Sequence, residues 1–268
     1  MIDRGKHNVL GVRINAVDYD AAVEQIIESA RRREPLAVTA LAVHGVMTGA
    51  LDPVHRWRLN KLDLVVPDGQ PVRWALNLLH GCGLRERVYG PELMLRVCDR
   101  AAAEGLGIFL FGGPDDLLDT LTERLVARFP GLQIVGRQAS KFRRMTPAEK
   151  EETIDNIRRS GAHLTLVGIG CPRQEVWAFE FREALSMPLM AVGAAFPFHA
   201  GLLPQAPPMM QRWGLEWLFR LSCEPRRLWN RYIVLNPLYL AMLGMQMTRL
   251  RVQDPEACQP PTEELLYG

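Results

Sequence analysis

Three segments carry residues whose type and setting could do chemistry. Asp68 follows the apolar stretch Leu62–Val66 in Val65-Val66-Pro67-Asp68-Gly69. A carboxylate at the end of a buried strand can take a proton from an attacking hydroxyl. An Asp-Gly pair also makes an ordinary tight turn. Gly112-Gly113-Pro114-Asp115 closes a second apolar stretch and opens a helical pattern. Free backbone N–H groups at such a place can cradle a phosphate. However, Asp115 and Asp116 would repel an anion there, and the segment matches neither common phosphate-loop pattern, so a plain turn stays open. Gly168 through Glu175 is the richest segment. Its glycines, Gly168 and Gly170, permit close backbone approach. Arg173 offers a guanidinium to a diphosphate and Gln174 an amide to a base or sugar; a strand-to-helix turn is the alternative.

Other chemistries lack their residues. His44, His80 and His199 have no partners at ligand spacing, and the five cysteines (Cys82, Cys98, Cys171, Cys223 and Cys258) form no CxxC pair. No metal site is therefore expected, and an odd, scattered set of cysteines reads as reduced thiols. There is no nucleophilic-serine elbow, and no DxD pair offers a metal to a nucleotide-sugar diphosphate. Overall charge is nearly flat at +2 with a pI near 8.3, which gives no warrant for nucleic-acid binding. Charge is uneven along the chain, however. Met209–Val252 holds seven arginines (212, 220, 226, 227, 231, 249 and 251) against Glu216 and Glu224, a local charge of +5. Tryptophans and leucines are interleaved with them. A basic, Trp-rich helix suits an anionic membrane surface. A helix pair completing the core is the alternative.

These segments need elements to hold them. Strands are expected at Val9–Ile14, Leu36–Val43, Leu62–Val66, Gly107–Phe111, Gln133–Val135, Leu164–Ile169 and Leu189–Val192. Helices are expected at Asp18–Arg33, Val46–Leu59, Val72–Leu79, Pro91–Glu104, Asp115–Phe129, Thr146–Ser160 and Gln174–Ala184. Alternation of this kind predicts an α/β domain with a mainly parallel sheet and helices on both faces. Ligands bind such sheets at the carboxyl ends of the strands, where the three segments fall. The expected division is a catalytic domain over residues 1–203, an Arg/Trp-rich appendage over 204–252 and a flexible tail over 253–268. No stretch of about 20 apolar residues predicts a membrane span.

Taken together, these pieces resemble the WecG/TagA/CpsF glycosyltransferases. The resemblance is carried by Val38-Thr39, Leu64 through Gly69, Glu86 through Gly90, Phe109 through Gly113, Phe129 through Leu132, Val167 through Glu175 and Trp213 through Pro237. It implies a Rossmann-like domain of the GT-E type. It also implies an inverting, metal-independent transfer from a UDP-sugar to a polyprenyl-diphosphate-linked sugar in bacterial polysaccharide synthesis. The setting would be the cytoplasmic face of the membrane, with the protein peripherally bound. By that resemblance Asp68 is the general base, Thr39 lies beside it, and Arg87 and Gln174 line the pocket. Gly112, Gly113, Gly170 and Arg173 join the binding set, and Arg220, Arg226, Arg227 and Arg231 serve the diphosphates. Self-association into a homo-oligomer stays open. Two positions depart from the family pattern: Leu41 stands where Asn is frequent and Pro197 where Asp is frequent. The rival readings are a nucleotide-binding oxidoreductase of similar fold and a non-catalytic membrane-associated adaptor. The oxidoreductase should show a GxGxxG turn after its first strand, and this chain has none.

Overall fold

The computed structural model describes residues 1–250 and 252–268, with Asn230 and Arg231 described through their backbone only. The chain opens with a hairpin of β1 (Asp3–Val9) and β2 (Val12–Val17). A single strand was expected over Val9–Ile14. Instead Leu10 and Gly11 turn the chain at φ of 53° and 84°. Two successive residues at positive φ make the turn whose twist matches antiparallel strands, and Leu10 gives no sequence signal of it. Next come α1 (Tyr19–Arg32), capped by Asp18, and β3 (Leu36–Leu41). The helix expected over Val46–Leu59 is divided into α2 (Val43–Leu51) and α3 (Pro53–Lys61). Asp52 between them is extended and accepts the N–H groups of Val54 and His55 at 2.8 and 3.0 Å. Pro53 has no N–H to carry α2 onward, so a cap wins over continuity.

The remaining domain elements are β4 (Leu64–Pro67), α4 (Gln70–His80), α5 (Gly90–Glu104), β5 (Gly107–Phe111), α6 (Asp115–Arg128), β6 (Gln133–Gln138), α7 (Pro147–Arg159), β7 (Leu164–Val167), α8 (Arg173–Leu185), β8 (Pro188–Ala191) and α9 (Ala195–His199). Six strands form one parallel sheet in the order β4-β3-β8-β7-β5-β6. This is the α/β class that the alternation predicts. Side chains of β5 alternate between two apolar layers. Phe109 and Phe111 enter one layer, Ile108 and Leu110 the other. In the first, Trp177 of α8 stacks against Phe111 and Phe181 with ring centroids 4.6 and 4.2 Å apart. Deleting a buried ring of this kind costs about 3–5 kcal/mol. Register brings the strand ends level. Leu41 faces Pro67, Val167 faces both Phe111 and Ala191, and the loops that follow open on one edge.

Beyond α9 lie α10 (Pro208–Arg212), α11 (Glu216–Cys223), α12 (Pro225–Ile233) and α13 (Leu235–Met247). α13 is tied to the domain. Tyr239 Oη donates to the Pro71 carbonyl at 3.1 Å, and Gln246 Oε1 accepts the Leu10 N–H at 2.9 Å. By contrast α10 and α11 bury no residue, and Trp213, Leu218, Trp229, Ile233 and Leu240 are exposed. Among the described residues no helix is long and apolar enough to cross a membrane. The tail expected to be flexible runs along α7 and α8 instead. Met145 N–H donates to the Leu266 carbonyl at 2.7 Å, and Glu180 accepts the N–H groups of Leu265 and Leu266 at 2.8 and 3.0 Å. These partners are some 85 residues or more away in sequence, out of reach of a reading based on local composition.

Candidate active site

A cleft of about 440 Å³ opens where β3, β4, β5, β7 and β8 end, and α11 and α12 of the appendage close its far side. Asp68, one residue past β4, lies in it. Its Oδ1 accepts the Gly90 N–H at 2.6 Å, at the first turn of α5. Enclosure by protein pushes its carboxyl up from 3.8 to about 6, and the Glu216 carboxylate adds to this. The Arg87 and Arg220 guanidiniums and the Gly90 N–H oppose it. Burial is the larger influence, because it withholds the water that stabilises an ionised carboxylate.

Arg87 does not face this cleft. It is buried behind it, with Nη2 2.7 Å from Glu216 Oε2 and 3.1 Å from Gln211 Oε1, and its guanidinium stands 4.2 Å over the Tyr89 ring. Thr39 is not beside Asp68 either. It lies two residues before the end of β3, is fully buried, and donates from Oγ1 to Glu175 Oε1 at 2.9 Å. Strand alternation puts it on the sheet face under α8 rather than at the rim.

Of the glycine turns, Gly113 and Gly170 line the cleft. Gly112 stands at φ 110°, and a Cβ there would come within 2.8 Å of the Gly168 carbonyl carbon, so only glycine fits where two strand ends close up. Gln174 also lines the cleft. It is buried, its Nε2 donates to Glu175 Oε1 at 3.0 Å, and its Oε1 has no hydrogen-bond partner among the described residues. Arg173 points elsewhere. It is exposed, donates to the Phe142 carbonyl at 3.4 Å and stands 5.7 Å over the Tyr267 ring. Arg220 and Arg227 reach the cleft from the appendage, Arg227 pairing with Glu224 at 2.6 Å. Arg226 is exposed and outside the cleft, and the side chain of Arg231 lies outside the described residues.

Main-chain groups complete the wall. The helices α2, α4, α5, α6 and α8 all begin at this edge without a cap from their own N-cap residue, although Asp68 takes the Gly90 N–H of α5 and Asp116 the Leu117 N–H of α6. Helices α1, α3 and α7 are capped by Asp18, Asp52 and Thr146. Uncapped starts leave backbone N–H groups and the positive end of the helix dipole turned toward whatever fills the cleft. Among the described residues no group of three His, Cys, Asp or Glu side chains converges.

Two residues here escaped the sequence reading. Glu216 was counted only as a charge, yet it sets Arg87 beside Asp68. Glu175 enters the sequence analysis only as the last residue of its segment, yet it is fully buried and gathers Thr39 and Gln174. A buried glutamate is the signal that could have been weighed, but burial is visible only after folding. Against this geometry stands one comparison: residues 7–253 match the model of the Glycosyl transferase WecG/TagA/CpsF family. The chain belongs to that family, which places it among the glycosyltransferases of polysaccharide biosynthesis.

Proposed function

From that membership we propose that the protein moves a hexose or N-acetylhexosamine from a UDP-sugar to a polyprenyl-diphosphate-linked sugar, with inversion. The observation that carries this reading is Asp68: a carboxylate at the end of β4 that lines the cleft and is pushed up to about 6 by burial, with Arg220 and Arg227 lining the same space, while the other carboxylate there, Glu216, is held by Arg87. At pH 7 such a group is roughly nine-tenths ionised, basic enough to accept a proton yet close to working pH.

Asp68 takes the proton of the acceptor hydroxyl. The oxygen's electron pair forms the new bond to the anomeric carbon, on the face opposite the nucleotide. The bond from that carbon to the diphosphate oxygen breaks, and its pair leaves with UDP. Charge developing on the leaving diphosphate needs fixed donors in place. Arg220, Arg227 and the start of α8 supply them, so the reading needs no metal ion. Exposed Trp213 and Trp229, with the excess of arginine, support docking of the appendage on an anionic membrane at its cytoplasmic face.

The test is UDP release over a panel of UDP-sugars with short-chain polyprenyl-diphosphate-linked sugars as acceptors. Wild type should turn over at least one pair. Asp68→Asn should lose about 10²–10⁴-fold in rate with donor affinity nearly unchanged. A variant that keeps more than about half of the wild-type rate would remove Asp68 from the role.

A further inference from the structure

Asp68 borders two cavities. One is the cleft already described. The other lies between α4 and the appendage, and shares Asp68, His44, Glu216 and Arg220 with the first. Their walls differ in chemistry. The first is made by main-chain turns at Gly113, Gly168, Gly170 and Gly193, suited to an anion. The second is made by the rings of Trp217 and Tyr232, whose centroids are 6.1 Å apart, with the amides of Gln70 and Asn236. Gln70 Oε1 is enclosed and has no hydrogen-bond partner among the described residues.

An enclosed carbonyl without a donor costs about 1–3 kcal/mol, which a ligand hydroxyl can recover. Ring faces accept the C–H face of a pyranose, and the Asp68 and Glu216 carboxylates accept its hydroxyl protons. Arg87 and Arg220 line the same cavity, so the two carboxylates are balanced by two guanidiniums and there is no net positive charge to draw a phosphate. We propose that the cavity bounded by Trp217, Tyr232 and Gln70 is the subsite for the terminal sugar of the acceptor. The proposal rests on the transfer reading above and deepens it. A base that deprotonates the acceptor while the donor's anomeric carbon lies on the other side must stand at the junction of two subsites, and Asp68 does.

Saturation-transfer NMR with a panel of methyl hexosides and methyl N-acetylhexosaminides, recorded under saturating UDP, tests the subsite. At least one glycoside should receive saturation from wild type. Gln70→Ala removes no hydrogen bond among the described residues and should weaken that glycoside about tenfold. Trp217→Ala should weaken it at least as much. Calorimetric Kd for UDP should stay within about twofold in both variants. Glycoside binding that survives both substitutions, or that never occurs with wild type, overturns the subsite. Wild type that fails to bind UDP would sink the transfer reading itself, and the subsite with it.

Discussion

Arg87 and Glu216 join across the boundary between the domain and the appendage, Nη2 to Oε2 at 2.7 Å, with only 10% and 14% of the two side chains exposed. Asp68 feels both charges, in opposite senses. The pair therefore positions α11 and tunes the carboxylate together. Removing one partner of an ion pair this enclosed costs on the order of 3 kcal/mol, because the other is left uncompensated. Arg87→Ala should destabilise the fold by about that much and move the midpoint of the acid limb of the rate upward. Glu216→Gln should move the midpoint downward. A double-mutant cycle on thermal stability measures the coupling, and a coupling near zero would show that the contact holds nothing in place.

Asp68 ties rate and stability to pH in opposite directions. As base it must be ionised, so kcat/KM should rise with pH through a midpoint near 6. Its folded value lies above its ordinary 3.8, so the stability it contributes is fully present below about pH 4 and is lost as pH rises through about 6. The full effect is at most about 3 kcal/mol, and less because the carboxylate partly faces the cleft. Asp68→Asn should therefore raise Tm at pH 8 and leave it nearly unchanged at pH 4. A calorimetric scan at both pH values decides it; a lower Tm for the variant at pH 8 would contradict the burial argument.

Chelation should leave the rate intact. Arginines and helix starts face the leaving diphosphate in this reading, and no three ligand side chains converge among the described residues. Incubation with excess EDTA followed by an activity assay checks it. Loss of activity that Mn²⁺ or Mg²⁺ restores would reveal a metal held jointly with substrate.

Membrane docking and catalysis should come apart at Arg226, which is exposed and outside the cleft. Each basic side chain near an anionic surface contributes about 1 kcal/mol, screened by salt. Arg226→Gln should weaken sedimentation with phosphatidylglycerol vesicles about fivefold and leave turnover of a short-chain acceptor unaltered. Vesicle binding insensitive both to this change and to 0.5 M salt would exclude an electrostatic anchor.

The order of strands and helices was legible because apolar period and turn residues are local. Asp68 was legible for the same reason: a carboxylate straight after a buried strand announces its place at the rim. What escaped was long-range. Glu216 finds Arg87 across 129 residues, and Thr39 finds Glu175 across 136. A threonine in a strand two residues from the rim reads much like one at the rim, since only the register of the sheet separates them. The tail failed differently. Its Pro and Glu content resembles a free end, while its ordering comes from Glu180 and Met145 on the far side of the chain.

The uncapped starts of α2, α4 and α8 bear on how this site can change under mutation. Part of the positive field at the cleft belongs to peptide groups, which no side-chain replacement removes. A deep mutational scan read out by UDP affinity should therefore find broad tolerance at the first positions of these helices, Gln70 included, and intolerance at Gly112, where any Cβ collides. Affinity for an anion is thereby buffered against drift. Selectivity among sugars has no such protection, since it rests on a few exchangeable side chains around Asp68. Lineages could then diverge in the sugar they transfer while retaining the same grip on the nucleotide.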